Sequence, residues 1–354
     1  MSTESKELRL ASLTLLLPLY IAVVFSTNYF GALHAPKPHG IKVAIVGAPS
    51  RTSRIAHQLS TRPRGGFDVS RLTSISQARE LVGARKLAGA YLPGQRPAPV
   101  IVVATAASAS LATFVEATFR EVAAAQNRPL VVEDVKPLPA NNASESPNFF
   151  FIVICTLGGF LVVTALGLVA PTLAEPQRLG IVAAACLLAP IVAYLIGGPG
   201  YDTFSGSLGA ILAMLGLGVL YAFAVAVITR LLQLGLGGLG ALIGSLVLIF
   251  LNIPSSGGSV AAPLLPGFWR FLSHFWIGAA ALDANRSALY FGGSGVANDV
   301  LKMLAWVAAC ACLLAVPIHI RSTRRARAGP VSPTITTSSA TSISAAVDVS
   351  ATSS

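Results

Sequence analysis

Residues 208–251 read LGAILAMLGLGVLYAFAVAVITRLLQLGLGGLGALIGSLVLIFL, with a single charged residue, Arg230, and no proline. An α-helix needs roughly 20 apolar residues to cross the hydrocarbon core of a bilayer. The run is therefore long enough for two crossings, Leu208–Ile228 and Leu234–Leu251, with Arg230 in the connection. Working outward, four more stretches meet the same requirement: Leu10–Ala32, Phe149–Val169, Leu179–Ile196 and Val300–Ile320. Breakers stand between them. Pro171 and Pro176 separate the second from the third, Gly197-Gly198-Pro199-Gly200 the third from the fourth, and Pro254-Ser255-Ser256-Gly257-Gly258 follows the fifth.

The composition agrees. Hydrophobic residues make up 54% of the chain and charged residues 11%, against about a quarter charged in soluble domains. The apolar run in Leu10–Ala32 is longer than a secretory leader needs, and no small-x-small cleavage site follows it, so it reads as an uncleaved anchor. The expected fold class is an α-helical membrane protein with six transmembrane helices and a small α/β extracytoplasmic domain inserted between the first and second spans. The expected divisions are a cytoplasmic N-terminus (1–9), the anchor (10–32), the external domain (33–147), a five-span membrane domain (148–320) and a disordered cytoplasmic tail (321–354).

Short loops rich in Lys and Arg stay in the cytoplasm. Lys6 and Arg9 precede the first span, Arg178 and Arg230 occupy two short loops, and Arg321, Arg324, Arg325 and Arg327 follow the last span. The turn from Gly197 to Ser207 on the other side has none. Both termini are therefore expected in the cytoplasm and 33–147 outside, in a multi-pass plasma-membrane protein. The formal net charge of +11 follows largely from this asymmetry, so no nucleic-acid partner is inferred; the partner is the lipid bilayer.

Within 41–139 the pattern alternates strands with helices: Ile41–Val46, a helix near Arg54–Leu59, Phe67–Leu72, a helix over Ile75–Lys86, Leu87–Leu92, Val100–Ala104, a helix over Ser110–Ala125, and Leu130–Val135. This predicts a mixed sheet with helices packed on it. The turn Gly47-Ala-Pro-Ser50 is neither a dinucleotide nor a phosphate loop. His57, Asp68, Glu80, Glu116 and Glu121 have no triad or metal spacing. Cys155, Cys186, Cys310 and Cys312 fall in apolar runs without CxxC spacing and read as small buried hydrophobes. No catalytic, cofactor or metal site is nominated, and no enzyme activity is expected.

The stretch Asn252–Gly295 is too apolar for a solvated loop and too broken for a span. Trp269, Phe271, Phe275, Trp276, Tyr290 and Phe291 suit an interfacial aromatic belt. Two short helices dipping into the outer interface are expected, with Asp283 and Arg286 paired at i, i+3 and a glycine turn at Ser255–Gly258. The candidate outer-mouth or gating residues are Pro254, Ser255, Ser256, Gly257, Gly258, Pro266, Trp269, Asp283, Arg286, Tyr290 and Phe291. Gly240 and Gly244 form a GxxxG step, read as packing within the bundle, with a dimer face as the alternative.

The segment Pro-Ser-Ser-Gly-Gly (254–258), Leu-Pro-Gly-Phe (265–268), Asn-Arg-Ser (285–287) and Tyr-Phe-Gly-Gly (290–293) before a last span resembles the YhgE/Pip-like, phage-infection-protein-like membrane proteins. These are similar to type-2 ABC exporter permeases and to fungal nitrosoguanidine-resistance membrane proteins. The resemblance covers residues 10–320 and is most specific over 252–293. It implies a six-span permease fold, a homodimer, and export of a hydrophobic or amphipathic compound. It also implies that any ATP use would need a separate ATPase subunit. The chain departs from that pattern at Pro171–Arg178, too short for a coupling helix, and in the nine residues before the first span. The alternative function is a non-transporting cell-envelope protein whose external domain binds a wall component or protein partner.

Overall fold

The computed structural model describes residues 15–61 and 65–327. The chain divides into two units at Cys312/Leu313, and the described residues of the second are helical. In the first, α1 (Leu16–Leu33) leads into an α/β domain: β1 (Ile41–Val46), α2 (Pro49–Thr61), β2 (Phe67–Leu72), α3 (Ile75–Gly83), β3 (Gly89–Leu92), β4 (Val100–Val103), α4 (Ala109–Ala124) and β5 (Val131–Asp134). The helices that follow are α5 (Ser146–Val169), α6 (Glu175–Leu195), α7 (Leu208–Leu236), α8 (Gly240–Ser245), α9 (Asn252–Ser255), α10 (Gly267–Phe275), α11 (Ile277–Tyr290) and α12 (Val296–Arg327). The parts of the expected anchor before residue 15 and of the expected tail after residue 327 lie outside the described residues.

The sheet is mixed, as its sequence pattern predicts. Its order is β2-β1-β3-β4-β5, with only the β3–β4 pair antiparallel. In β1 every residue but Lys42 is buried, because both faces are covered. Ile41, Val43 and Ile45 pack with Ile55 and Leu59 of α2 and Val115 and Phe119 of α4. Ala44 and Val46 face Ala78 and Val82 of α3. Bulky residues thus fill the two-helix side, and small ones let α3 approach the other.

Five helical segments are long and apolar enough to cross a membrane: Leu16–Leu33, Ser146–Val169, Glu175–Gly200, Leu208–Ser255 and Val296–Leu313. By length and composition the chain is a multi-pass membrane protein. The fourth segment has 48 residues, yet it is not one straight rod. Gly237 sits at φ +56°, a left-handed conformation that only glycine adopts cheaply, and the chain reverses there. A Cβ on Gly240 would lie 2.6 Å from the Leu232 carbonyl oxygen. Further on, the Asn252 amide donates to the Tyr221 hydroxyl at 2.7 Å. In a continuous helix those residues would stand about 46 Å apart. The GxxxG step is spent inside the bundle, since Gly240 meets α7 and Gly244 meets Phe160 of α5.

Two expected breaks are helical instead. Ile196–Gly200 continues α6 as a π-helical turn, because glycines there leave room for Phe204 and Tyr194. Pro254 and Ser255 belong to α9, and the reversal begins only at Gly257, φ +80°. All four cysteines are free; Cys312 alone is exposed.

Asn252 organises the middle of the bundle. Its Oδ1 accepts from the Gly278 amide of α11 at 2.8 Å, and its Nδ2 donates to Tyr221. The Tyr221 hydroxyl must then donate to Thr156 Oγ1, 2.7 Å away, and Thr156 donates to the Ile152 carbonyl. Every donor in this chain of bonds is used once. Replacing Asn252 by Leu would leave the Gly278 N–H buried and unpaired, at a cost of about 1–3 kcal/mol. The expected outcome is a lowered thermal unfolding midpoint of the purified protein in detergent, with Asn252→Gln recovering part of the loss.

Candidate functional site: a charged cavity between the α/β domain and a helical hairpin

Helices α10 and α11 form a hairpin whose tip, Phe275-Trp276-Ile277, reaches the bundle, with Ile277 buried and Phe275 on its exposed side. The Trp306 indole, about 15 Å along α12 from its start, donates to the Phe275 carbonyl at 2.9 Å. Trp276 packs edge-on against Trp306. The expectation of two helices lying in the interface therefore needs correction for α11. Its Ile277, Ala281, Leu282 and Leu289 join the bundle core with α5 and α7. A helix this rich in alanine can be enclosed on most sides, because its small side chains allow close packing.

The expected Asp283–Arg286 pair is not formed. Both residues find stronger partners from distant parts of the chain. Arg286 is buried and donates through Nε and Nη2 to the buried Glu145 carboxylate, with a further bond from Nη2 to the Gly257 carbonyl at 3.1 Å. Burial pulls the Arg286 pKa down, but Glu145 holds it above the usual arginine value. Asp283 is held in a two-point fork by Arg85 of the α/β domain, at 2.8 and 3.2 Å. Arg85 also donates to Ser287 Oγ and lies over the Phe291 ring, 4.9 Å from its centroid. Arg85 and Glu145 are both non-glycine residues with positive φ, +60° and +61°. Backbone strain of this kind costs of order 1–3 kcal/mol, and here it falls on the two residues whose side chains reach across to α11.

The remaining expected residues have mixed roles. Ser255 and Ser256 turn their hydroxyls onto the carbonyls of their own helical turn, and Pro254 is buried beside them. Pro266 caps α10. Trp269 is buried against Ala32 at the end of α1 and is not part of an exposed belt. The Tyr290 hydroxyl accepts from Asn142 Nδ2 at 3.2 Å; burial, with Glu145 adding to it, pushes its pKa up to about 12. Gly258 is pressed against Phe149, where a Cβ would stand 2.0 Å from the ring.

Beside these ties lies a half-open cavity of about 470 Å³. Its walls are the first turn of α4 (Ser108, Leu111), the loop through Gly257 and Ala261, and residues of α10, α11 and α12. Charged lining groups are Arg270, Arg286 and Lys302 against Asp283 and Asp299, with His39 and His274 beside them. Asp283 is satisfied by Arg85, Arg286 by Glu145, and Lys302 by Asp299 at 3.1 Å. Among the described residues the Arg270 guanidinium has no hydrogen-bond or ion-pair partner; the His274 ring and the Ser273 hydroxyl both engage the Arg270 backbone carbonyl instead. The Nδ1 of His39 is buried without a hydrogen-bond partner among the described residues.

Sequence reasoning missed Arg85, Glu145, Arg270, His274, Asp299 and Lys302. The Arg270/His274 and Asp299/Lys302 spacings were local signals on amphipathic helices. The partners of Asp283 and Arg286 lie 198 and 141 residues away and left no such mark. Searches against protein-family models, curated proteins and solved structures find no match to this chain.

A buried ion pair is costly to break on one side, typically by about 3–5 kcal/mol, because the survivor is left charged and unpaired. Glu145→Gln or Arg286→Leu should each strongly lower the thermal midpoint in detergent. The double variant Glu145→Leu/Arg286→Leu should be closer to wild type than either single change, a coupling that a double-mutant cycle reads directly.

Proposed function

We propose that the protein is a permease-like membrane protein that takes part in exporting a hydrophobic or amphipathic compound. The observation that carries this reading is the charged cavity at the end of an apolar bundle, closed by a helical hairpin anchored at mid-depth. Pockets of about 300–1,000 Å³ are the usual size for small-molecule sites. Polar hairpin backbone inside an apolar bundle is tolerated where it is covered by protein or lines a wet space. The resemblance to YhgE/Pip-like proteins points the same way.

On this reading Leu208–Leu236 and Gly240–Ser255 are separate crossings, so the chain makes six. Arg178 and Arg230, gathered around Glu175 at the far end of the bundle, lie in the cytoplasm. The α/β domain and cavity lie outside. In a Cys312→Ser background, Arg120→Cys should react with an impermeant maleimide on intact cells, whereas Arg230→Cys should react only after permeabilisation. The reverse pattern would invert the topology.

Transport is tested at the hairpin's entrance. Gly258→Leu drives a side chain into Phe149, and Gly257→Leu forces a left-handed conformation on a branched residue. With expression matched to wild type, both should abolish efflux of the amphipathic compounds that the wild-type protein exports. Unchanged efflux and drug tolerance would refute the permease reading.

One observation favours the envelope-binding reading. The edge strand β5 exposes Val131 and Val132 beside an unpaired sheet edge, which can accept an added strand. Val131→Lys would block that capture while leaving efflux intact.

A further inference from the structure

Helix α10 divides two environments. Phe268, Phe271 and Phe275 form an exposed stripe along one side, a spacing that repeats on one helical face. Arg270, Ser273 and His274 line the cavity on the other. A third side, Trp269 and Leu272, is fixed against Ala32 and Leu265. The helix therefore cannot roll to exchange its faces.

On the cavity side the charges are matched among the described residues except at Arg270. The Arg270 guanidinium stands in this half-open cavity with no counter-charge among the described residues, and an oxyanion placed there would gain two parallel hydrogen bonds. The first turn of α4 in the same wall adds the partial positive charge of a helix start. The carboxylates of Asp283 and Asp299 limit the excess to about one unit, which favours a monoanion over a dianion. The cavity is also larger than one oxyanion requires. A ligand that spans the Arg270 side and the phenylalanine side of α10 needs a charged head and an apolar tail.

We propose that this cavity binds the monoanionic headgroup of an amphiphile, a phosphodiester or a carboxylate, with Arg270 as its charge partner and the phenylalanine stripe of α10 as the surface for its chain. The proposal rests on the permease reading for its role in transport, and names the class of compound that the same site would take.

All three tryptophans of the chain, Trp269, Trp276 and Trp306, lie on α10, at its end or against it. Their intrinsic fluorescence reports ligand binding without a label. The full-length protein in maltoside micelles is titrated with dihexanoyl phosphatidylglycerol, with dihexanoyl phosphatidylcholine, and with the tail-free headgroup glycerophosphoglycerol. The expected result is a saturable change with the phosphatidylglycerol, at least tenfold tighter than with either other probe. Arg270→Gln should weaken it at least tenfold, while Arg270→Lys, which keeps the charge but loses the two-point contact, should bind with intermediate affinity and shows that the site is still folded. Equal binding of the phosphatidylcholine, equal binding of the tail-free headgroup, or an unaffected Arg270→Gln variant would each overturn the proposal. Binding is read here without transport. Efflux that survives the loss of binding refutes this inference alone, and binding without efflux refutes the permease reading alone.

Discussion

The buried pair between Glu145 and Arg286 is the constraint on which the site depends. Two opposite charges removed from water must meet in good geometry or not at all, and here they fix three parts of the chain at once. Glu145 stands at the entrance to α5, Arg286 on α11, and the Arg286 guanidinium also holds the Gly257 carbonyl at the reversal after α9. With Arg286 pinned inward, α11 has one rotation about its axis. Asp283 then faces Arg85 in the α/β domain, and Ala279 and Ala280 face the cavity.

A second restraint acts deeper in the bundle. The chain of bonds from Thr156 through Tyr221 and Asn252 to the Gly278 amide sets how far α11 enters. A helix start has unpaired N–H groups, and in apolar surroundings one such group left alone is expensive. Asn252 supplies the acceptor. The ion pair and the amide thus fix rotation and depth separately, and α11 is held at both ends. The polar side of α10 carries Arg270, the cavity cation that has no partner among the described residues.

Much of this architecture was legible in the sequence. Apolar runs and their breakers located the long helices, and period-two against helical patterning located the sheet with its helices, because each signal is local. Residues 252–295 stand out as too broken for a span and too apolar for a loop, and their helices line the cavity. The specific contacts were not legible. Asp283 and Arg286 have helical spacing that suggests a mutual pair, yet a long-range carboxylate and guanidinium outcompete it. Pro254 and Gly197–Gly200 look like helix breakers, yet both lie in helical turns, where packing provides partners or room. The burial of α11 was hidden by its composition, since alanines and one ion pair give no amphipathic stripe.

The central claim is that the α/β domain closes over α11 through Arg85 and Asp283, making one wall of the cavity. Its most direct test is cross-linking in native membranes. In a Cys312→Ser background, Arg85→Cys and Asp283→Cys are introduced together and treated with a short rigid bismaleimide. The account predicts near-complete intramolecular cross-linking, detected as a mobility shift, while the cysteines of the control pair Arg120→Cys/Asp283→Cys are labelled but not joined. Failure of the Arg85/Asp283 pair to cross-link, with both cysteines shown to be reactive, would contradict it.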